Sequence, residues 1–178
     1  MSVLEATEQL VPAGVWTADP SHSTVEFAVR HMMIATVKGQ FSDFEARLES
    51  GESPRLAGSI RVASVDTRDE SRDAHLRSPE FFDAERYPDA RLEAVRLEPG
   101  RIVGELALRG VTGEVAFAAR FTGVDTDPWG NERLGLDLEG EIDRAEFGLT
   151  WNQPLPGGGV LVDGRVKLAA SLSFVKQA

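Results

Sequence analysis

The sequence predicts an all-β protein: a single antiparallel barrel of about eight strands with a short helical insert around residues 68–82. Apolar and polar residues alternate with a period of two along most of the chain, as in strands that bury one face. Turn signals separate these runs at the spacing of roughly 8–12 residues that is typical of sandwiches and barrels. Because the spacing of parallel βαβ units is absent, we expect an antiparallel meander, and closure into a barrel would remove its exposed edges.

The first half of the chain supplies three predicted strands. Val25, Phe27 and Val29 alternate with polar neighbours and define the first strand. Residues 37–48 predict a strand that bends near Ser42-Asp43, where the apolar positions change phase by one residue. Residues 56–62 alternate again and form the third predicted strand.

The insert is the one clear helical interruption. Thr67 and Glu70 stand at the spacing of a capping box, which would satisfy backbone N–H groups of the first helical turn. Ser78-Pro79 predicts a second helical start, since serine caps helices and proline suits the first position. We expect the insert to bring Arg72, His75 and two adjacent phenylalanines to a mouth or seam of the barrel.

The second half of the chain supplies five further predicted strands. The turn around Glu98 to Arg101 predicts a hairpin, and a change of register is expected in the strand that precedes it. The five runs are residues 88–97, 102–108, 115–121, 134–138 and 166–174.

Length and composition indicate one domain. The 178 residues predict a barrel over residues 15–176 after an N-terminal extension over residues 1–14. No apolar run approaches the roughly 20 residues of a membrane-spanning helix, so we expect no membrane span. The N-terminus shows no basic region followed by an apolar run, which predicts a cytoplasmic location. With no cysteine in the chain, thiol nucleophiles and thiolate metal sites are excluded.

Charge argues against nucleic acid as a partner. The 29 acidic and 19 basic residues give a net charge of −10, which repels phosphate backbones. Arg68, Arg72 and Arg77 alternate with acidic neighbours, so they form no uncompensated basic stripe.

Polar motifs give little support for catalysis or metal binding. His22 and His31 are nine residues apart, which places them on opposite faces of an unbroken strand, and His75 lies in the insert. We therefore expect no metal site. The acidic loop that follows residue 124 has Trp129 and Leu136 where a calcium loop needs oxygen ligands. One enzymatic alternative stays open: a small hydrolase or isomerase that uses His75 or His22 with a neighbouring carboxylate.

A barrel of about eight strands has room for packed side chains or for one slender ligand. The chain has nine phenylalanines, and Met32-Met33-Ile34 adds soft apolar side chains that suit irregular cavities. Composition alone leaves a packed core and a ligand-filled core equally open.

Several strings, taken in order, resemble the YceI-like family. They are WTADPSHS at 16–23 with VEF at 25–27, His31 followed by VKGQF at 37–41, RDAHLRS at 72–78 with FFD at 81–83, and DRAEFG at 143–148. The resemblance runs from about Trp16 to Phe174. The chain departs from the family at Ala107 and at Gly113-Glu114, and it lacks the aromatic residue that the family usually has near Leu92.

The resemblance implies a lipocalin-like barrel that binds, sequesters or transports a long apolar isoprenoid lipid or isoprenoid quinone. It carries over no catalytic residue, metal or cofactor. The expected partner is this ligand, with no nucleic acid; a homodimer is compatible with the sequence, which shows no decisive seam. Candidate ligand-binding residues come from the apolar strand faces and the insert: Phe27, Val29, Phe41, Phe81, Phe82, Leu106, Leu108, Phe117, Phe121, Phe147 and Trp151.

Overall fold

A computed structural model describes residues 11–98 and 100–178. Residues 1–10 of the expected N-terminal extension lie outside the described residues. The elements are β1 (Gly14–Ala18), β2 (Thr24–His31), β3 (Ala35–Phe41), β4 (Phe44–Ser50), β5 (Arg55–Arg61), β6 (Val65–Asp66), α1 (Glu70–Arg77), β7 (Asp89–Glu98), β8 (Arg101–Leu108), β9 (Val111–Thr126), β10 (Glu132–Asp143) and β11 (Val162–Lys176).

The sheet closes into an eight-stranded antiparallel barrel, as predicted. β1 and β2 are two parts of one interrupted strand, and β3 and β4 are two parts of the next. These two composite strands and β5, β7, β8, β9, β10 and β11 form the ring. β1 completes it by pairing on both sides, with Trp16 opposite Leu48 on β4 and opposite Lys176 on β11. The two-residue β6 adds only a short pairing to β3.

The predicted bend between β3 and β4 is confirmed. Phe41 and Phe44 are both buried, although strict alternation would place residues three apart on opposite faces. The break at Ser42-Asp43 restores the inward phase. The predicted register change in β7 also occurs, between Ala94 and Arg96, and the Val95 side chain at this irregularity is 48% exposed.

The helical insert is shorter than the sequence predicted. α1 spans only Glu70–Arg77, and Asp69 is its N-cap, with a carboxylate that accepts the N–H of Arg72 at 3.0 Å. The capping box with Thr67 is wrong, because the Thr67 hydroxyl donates instead to the buried carboxylate of Asp73 at 2.6 Å.

Ser78-Pro79 does not start a second helix. The chain after α1 forms a series of turns, in which the N–H of Phe82 donates to the carbonyl of Leu76 at 2.9 Å. The turns fold Phe81 and Phe82 back against the barrel, where Phe81 is buried and Phe82 is half-buried.

One end of the barrel is closed by an end plug of Trp16, Leu48, Leu134 and Phe174, each at most 2% exposed. Phe174 pairs with Leu134 near the end of β11, whereas Val162 at the start of β11 pairs with His31. The plug therefore lies at the opposite end from the β2–β3 hairpin. The wall reaches Val11, which is 1% exposed and whose carbonyl accepts the Ser50 hydroxyl.

Within the described ranges, no helix has the length and apolar character that crossing a bilayer would require.

Candidate ligand-binding cavity

A cavity of about 370 Å³ lies inside the barrel. This volume falls at the lower end of the range of roughly 300–1,000 Å³ that is typical of small-molecule pockets. Apolar side chains from most of the ring strands and from the insert form its inner wall. The exposed side chains of Arg30 and Arg72 also border it, so the cavity reaches the surface beside the insert. This opening, bordered by Arg30, His31, Arg72 and Leu161, is called the mouth below.

The lumen stays open because glycines stand opposite aromatic residues on neighbouring strands. Gly39 pairs with Phe27, and a Cβ atom at Gly39 would lie 2.2 Å from Cζ of the Phe27 ring. Gly140 pairs with Phe117, and a Cβ atom there would lie 2.8 Å from Cδ1 of that ring. Each ring therefore covers a glycine along the wall instead of filling the centre of the barrel.

Aromatic contacts attach the insert to the wall. The ring of Phe41 lies 5.6 Å from that of Phe27 and 5.9 Å from that of Phe82, measured between centroids. Phe81 lies 5.3 Å from Trp151 in the same way. Edge-to-face and tilted geometries at these separations are favourable for aromatic pairs. The insert thus contributes part of the cavity wall.

Arg144 is the one buried charged side chain that lines the cavity, among the residues that the structure describes. It is 5% exposed. Its guanidinium donates to the carbonyls of Leu149 at 2.6 Å, Asp163 at 2.9 Å and Val162 at 3.3 Å. Burial lowers the pKa of Arg144, and the charges of Asp143 and Asp163 oppose this shift. Arg144 therefore joins the turn after β10 to the start of β11.

A second arginine fastens the insert. Arg109, in the β8–β9 turn, donates to the carbonyl of Gly148 at 2.5 Å and to that of Pro79 at 2.7 Å. Two segments that are far apart in sequence are thereby held together near the insert. Sequence reasoning missed both Arg109 and Arg144. Arg144 was detectable, since it continues the inward, even-numbered phase of β10 through Leu138, Gly140 and Ile142.

Nine of the eleven predicted residues line the cavity: Phe27, Val29, Phe41, Phe81, Phe82, Leu106, Leu108, Phe117 and Trp151. Phe121 and Phe147 are not among its lining residues. Phe121 pairs with Leu136 and packs against the core. Phe147, 2% exposed, sits over Gly113, whose added Cβ would lie 3.0 Å from the ring. That the nine contact a ligand stays a prediction.

The three histidines belong to different elements, although His31 and His75 both line the cavity. His22 is exposed on a turn, where its Nδ1 lies 2.8 Å from the Asp19 carboxylate, and it does not line the cavity. His31 borders the mouth. His75 pairs with Glu80 and packs edge-on against the rings of Phe81 and Trp151. Among the described residues, no group of three or more acidic or histidine side chains is arranged to hold a metal ion.

An ionic cluster at the plugged end has a structural role. Arg133 donates to Asp19 at 3.0 Å and to Asp127 at 2.9 Å, and so joins the β9–β10 hairpin to the β1–β2 connection. Hydrogen bonds from Ser21, Arg133 and His22 hold the pKa of Asp19 well below its ordinary range. The hydrogen bond from Arg133, with those from Asn131 and Trp129, lowers the pKa of Asp127 to about 2.

Comparison with known proteins identifies a family. The model of the YceI-like domain matches residues 16–174. A UPF0312 protein of Staphylococcus aureus strain N315 is 33% identical over 164 residues, which cover 89% of this chain and 96% of that protein.

Solved structures show the same fold. The YCEI protein of Campylobacter jejuni is 26% identical, with a TM-score of 0.71 over 84% of this chain and 90% of that one. BcnA of Burkholderia cenocepacia has a TM-score of 0.71 at 20% identity, over 88% of this chain and 98% of its own. A polyisoprenoid binding domain from Saccharophagus degradans has a TM-score of 0.67 at 14% identity, over 91% and 98% of the two chains.

Proposed function

Because this chain belongs to the YceI-like family, we propose that it binds one long apolar isoprenoid lipid or isoprenoid quinone inside the barrel. The binding is non-enzymatic and serves to sequester or transport the lipid. The similarity in fold to a polyisoprenoid binding domain supports this class of ligand.

The observation that carries the proposal is the apolar lumen, plugged at one end and reaching the surface at the other. A hydrocarbon chain that leaves water for such a wall gains roughly 25 cal/mol per Å² of buried apolar surface. It leaves no polar group of its own unpaired in the lumen. The end plug sets the direction in which the lipid binds. Its hydrocarbon chain enters through the mouth, and its polar end stays near Arg30 and His31.

The enzymatic alternative has less support. His75 has a carboxylate partner in Glu80 and packs edge-on against the rings of Phe81 and Trp151. The nearby Ser78 hydroxyl donates to the backbone carbonyl of His75 at 2.6 Å. A hydrolase would need a nucleophile or an oxyanion-stabilising group beside this histidine. The cytoplasmic location and the homodimer stay predictions.

A substitution that fills the lumen tests the proposal. Ala170 lines the cavity on β11, opposite Leu138 and Val25, so Ala170→Phe places a ring inside the lumen. Its neighbour Ser171 is exposed and is not a lining residue, so Ser171→Phe is the matched control on the outer face. Each purified protein is examined by native mass spectrometry, and its lipids are extracted and identified.

We expect wild type and Ser171→Phe to retain or take up a long isoprenoid, and Ala170→Phe to lose it while it still unfolds cooperatively. Circular dichroism melting shows that the variant is folded. A wild-type protein that carries no lipid and takes up none at micromolar concentration would contradict the proposal, as would undiminished uptake by folded Ala170→Phe.

A further inference from the structure

The most exposed apolar cluster of the described residues lies beside the mouth. Eight large apolar side chains are exposed in the described part of the chain, and four of them belong to this region. They are Met32, Met33 and Ile34, here called the hairpin tip, and Val160; their exposed fractions are 41%, 58%, 76% and 43%. An exposed apolar cluster of this kind marks an interaction surface.

The hairpin tip and the loop at Val160 adjoin each other at the cavity opening. The N–H of Met32 donates to the carbonyl of Leu161 at 2.8 Å, and His31 pairs with Val162. His31, Leu161 and Val162 also line the cavity. A molecule that covers the hairpin tip would therefore also cover the route into the lumen.

The backbone of the hairpin tip is unfavourable for its residues. Met32 and Met33 have φ values of 54° and 59°, in the left-handed region. Turns with two consecutive positive φ values usually carry Asn and Gly, which adopt them at little cost. The chain instead places two flexible, apolar side chains at these strained and exposed positions, an arrangement that the folding of the hairpin does not require.

The chain segments at the hairpin tip carry a net positive charge, whereas the protein as a whole is acidic. Between Glu26 and Asp43 the chain has Arg30 and Lys38 but no carboxylate, and residues 148–162 carry no charge. The guanidinium of Arg30 reaches the tip, where it donates to the carbonyl of Met33 at 2.8 Å. This region is therefore cationic in a chain with a net charge of −10.

We propose that the hairpin tip docks the mouth onto an anionic lipid bilayer. Met32, Met33 and Ile34 enter the boundary between headgroups and acyl chains, and Arg30 and Lys38 contact lipid phosphates. In a symmetric dimer the two cationic tips would face and repel each other, so the charge favours an anionic membrane over a second copy of this chain. The purpose of the contact, direct passage of a lipid between bilayer and lumen, rests on the proposed function, whereas the contact itself does not.

Sedimentation with vesicles tests the docking. The full chain is mixed with phosphatidylcholine vesicles that contain either no phosphatidylglycerol or one quarter of it. The test variant is Met33→Ser/Ile34→Ser. The control is Trp129→Ser, which removes an apolar side chain that is 82% exposed in the β9–β10 hairpin, at the plugged end.

We expect wild type and Trp129→Ser to bind the anionic vesicles, with weaker binding to neutral vesicles and at high salt. The test variant should bind at least about tenfold more weakly, because it loses two apolar anchors. Equal binding by the test variant, or no binding by wild type, would overturn the proposal. So would a dimer in analytical ultracentrifugation that the same two substitutions dissociate, since the occupant would then be a second copy.

Uptake of geranylgeraniol from detergent separates this inference from the proposed function. If the test variant takes up the isoprenoid as wild type does but no longer binds vesicles, both proposals are supported. If wild type binds vesicles but takes up no isoprenoid, the proposed function fails and the docking stands.

Discussion

Arg144→Met should destabilise the protein strongly, because three backbone carbonyls lose a charged donor. The acceptors belong to Leu149, Asp163 and Val162, at 2.6, 2.9 and 3.3 Å. A hydrogen bond to a charged group contributes about 1.5–3 kcal/mol, and the longest of the three contributes least. The two shorter bonds together are worth about 3–6 kcal/mol.

Removal of the buried charge offsets part of this loss, since the guanidinium no longer has to be desolvated. We therefore expect a net loss of about 3 kcal/mol in the free energy of unfolding. For a chain of this length that corresponds to a fall in Tm of about 6–12 °C. Urea unfolding followed by circular dichroism and tryptophan fluorescence measures it.

Arg91→Met is the matched control, because the Arg91 side chain is 74% exposed and makes one ion pair within the described part of the chain, at 3.9 Å. Its effect should stay within about 0.5 kcal/mol. Arg144→Lys should recover little of the stability that Arg144→Met loses, since one ammonium group cannot reach three diverging carbonyls. An Arg144→Met protein as stable as the control would refute the reasoning.

Three further outcomes are expected. Gly39→Ala should push the Phe27 ring into the lumen and weaken isoprenoid uptake at a stability cost of about 1–3 kcal/mol; Gly157→Ala, with open space around its Cβ position, should change neither uptake nor Tm. Asp127→Asn should lower stability at neutral pH, and its difference from wild type should shrink as the pH falls from about 4 to 2. Because folding lowers the pKa of Asp127, its ionised carboxylate stabilises the folded protein above the pKa that it has in the unfolded chain. This stabilisation is lost as the pH falls through the lowered pKa of the folded state. A stability difference between Asp127→Asn and wild type that stays constant in acid unfolding would contradict this. Met33→Gly should raise the free energy of unfolding by about 0.5–1 kcal/mol, because glycine adopts the φ of 59° without penalty while its chain entropy offsets part of the gain; a drop in the urea midpoint would count against a strained turn.

Strand positions were predictable from sequence because they depend on local alternation. Val25, Phe27 and Val29 show the pattern within five residues, and the phase change around Ser42-Asp43 is equally local. β1 escaped prediction because it has only five residues, and its place is set by two partners distant in the chain.

Capping at the insert shows that the spacing of polar residues predicts helix caps less reliably than alternation predicts strands. Thr67 and Glu70 have capping-box spacing, but the buried carboxylate of Asp73 takes the Thr67 hydroxyl, and Asp69 caps the helix. Several side chains within one turn could serve as caps, and burial decides among them.

The candidate site was only partly predictable, because the tertiary structure decides which of several locally equivalent side chains face the cavity. Phe117 and Phe121 share one face of β9, yet only Phe117 lines the cavity. Phe147 ends a 3-10 helix of only four residues, Arg144–Phe147, which is too short for a period to indicate which way a side chain points.

The sequence by itself determined the class of fold, since period-two alternation over most of the chain leaves few alternatives to an antiparallel sheet. It also determined the apolar character of the interior. Only the tertiary structure decided that the interior holds a cavity. A lumen stays open where a glycine on one strand faces an aromatic ring on the next, as at Gly39 and Phe27. That pairing follows from strand register, which is set by closure of the whole barrel and not by any local segment.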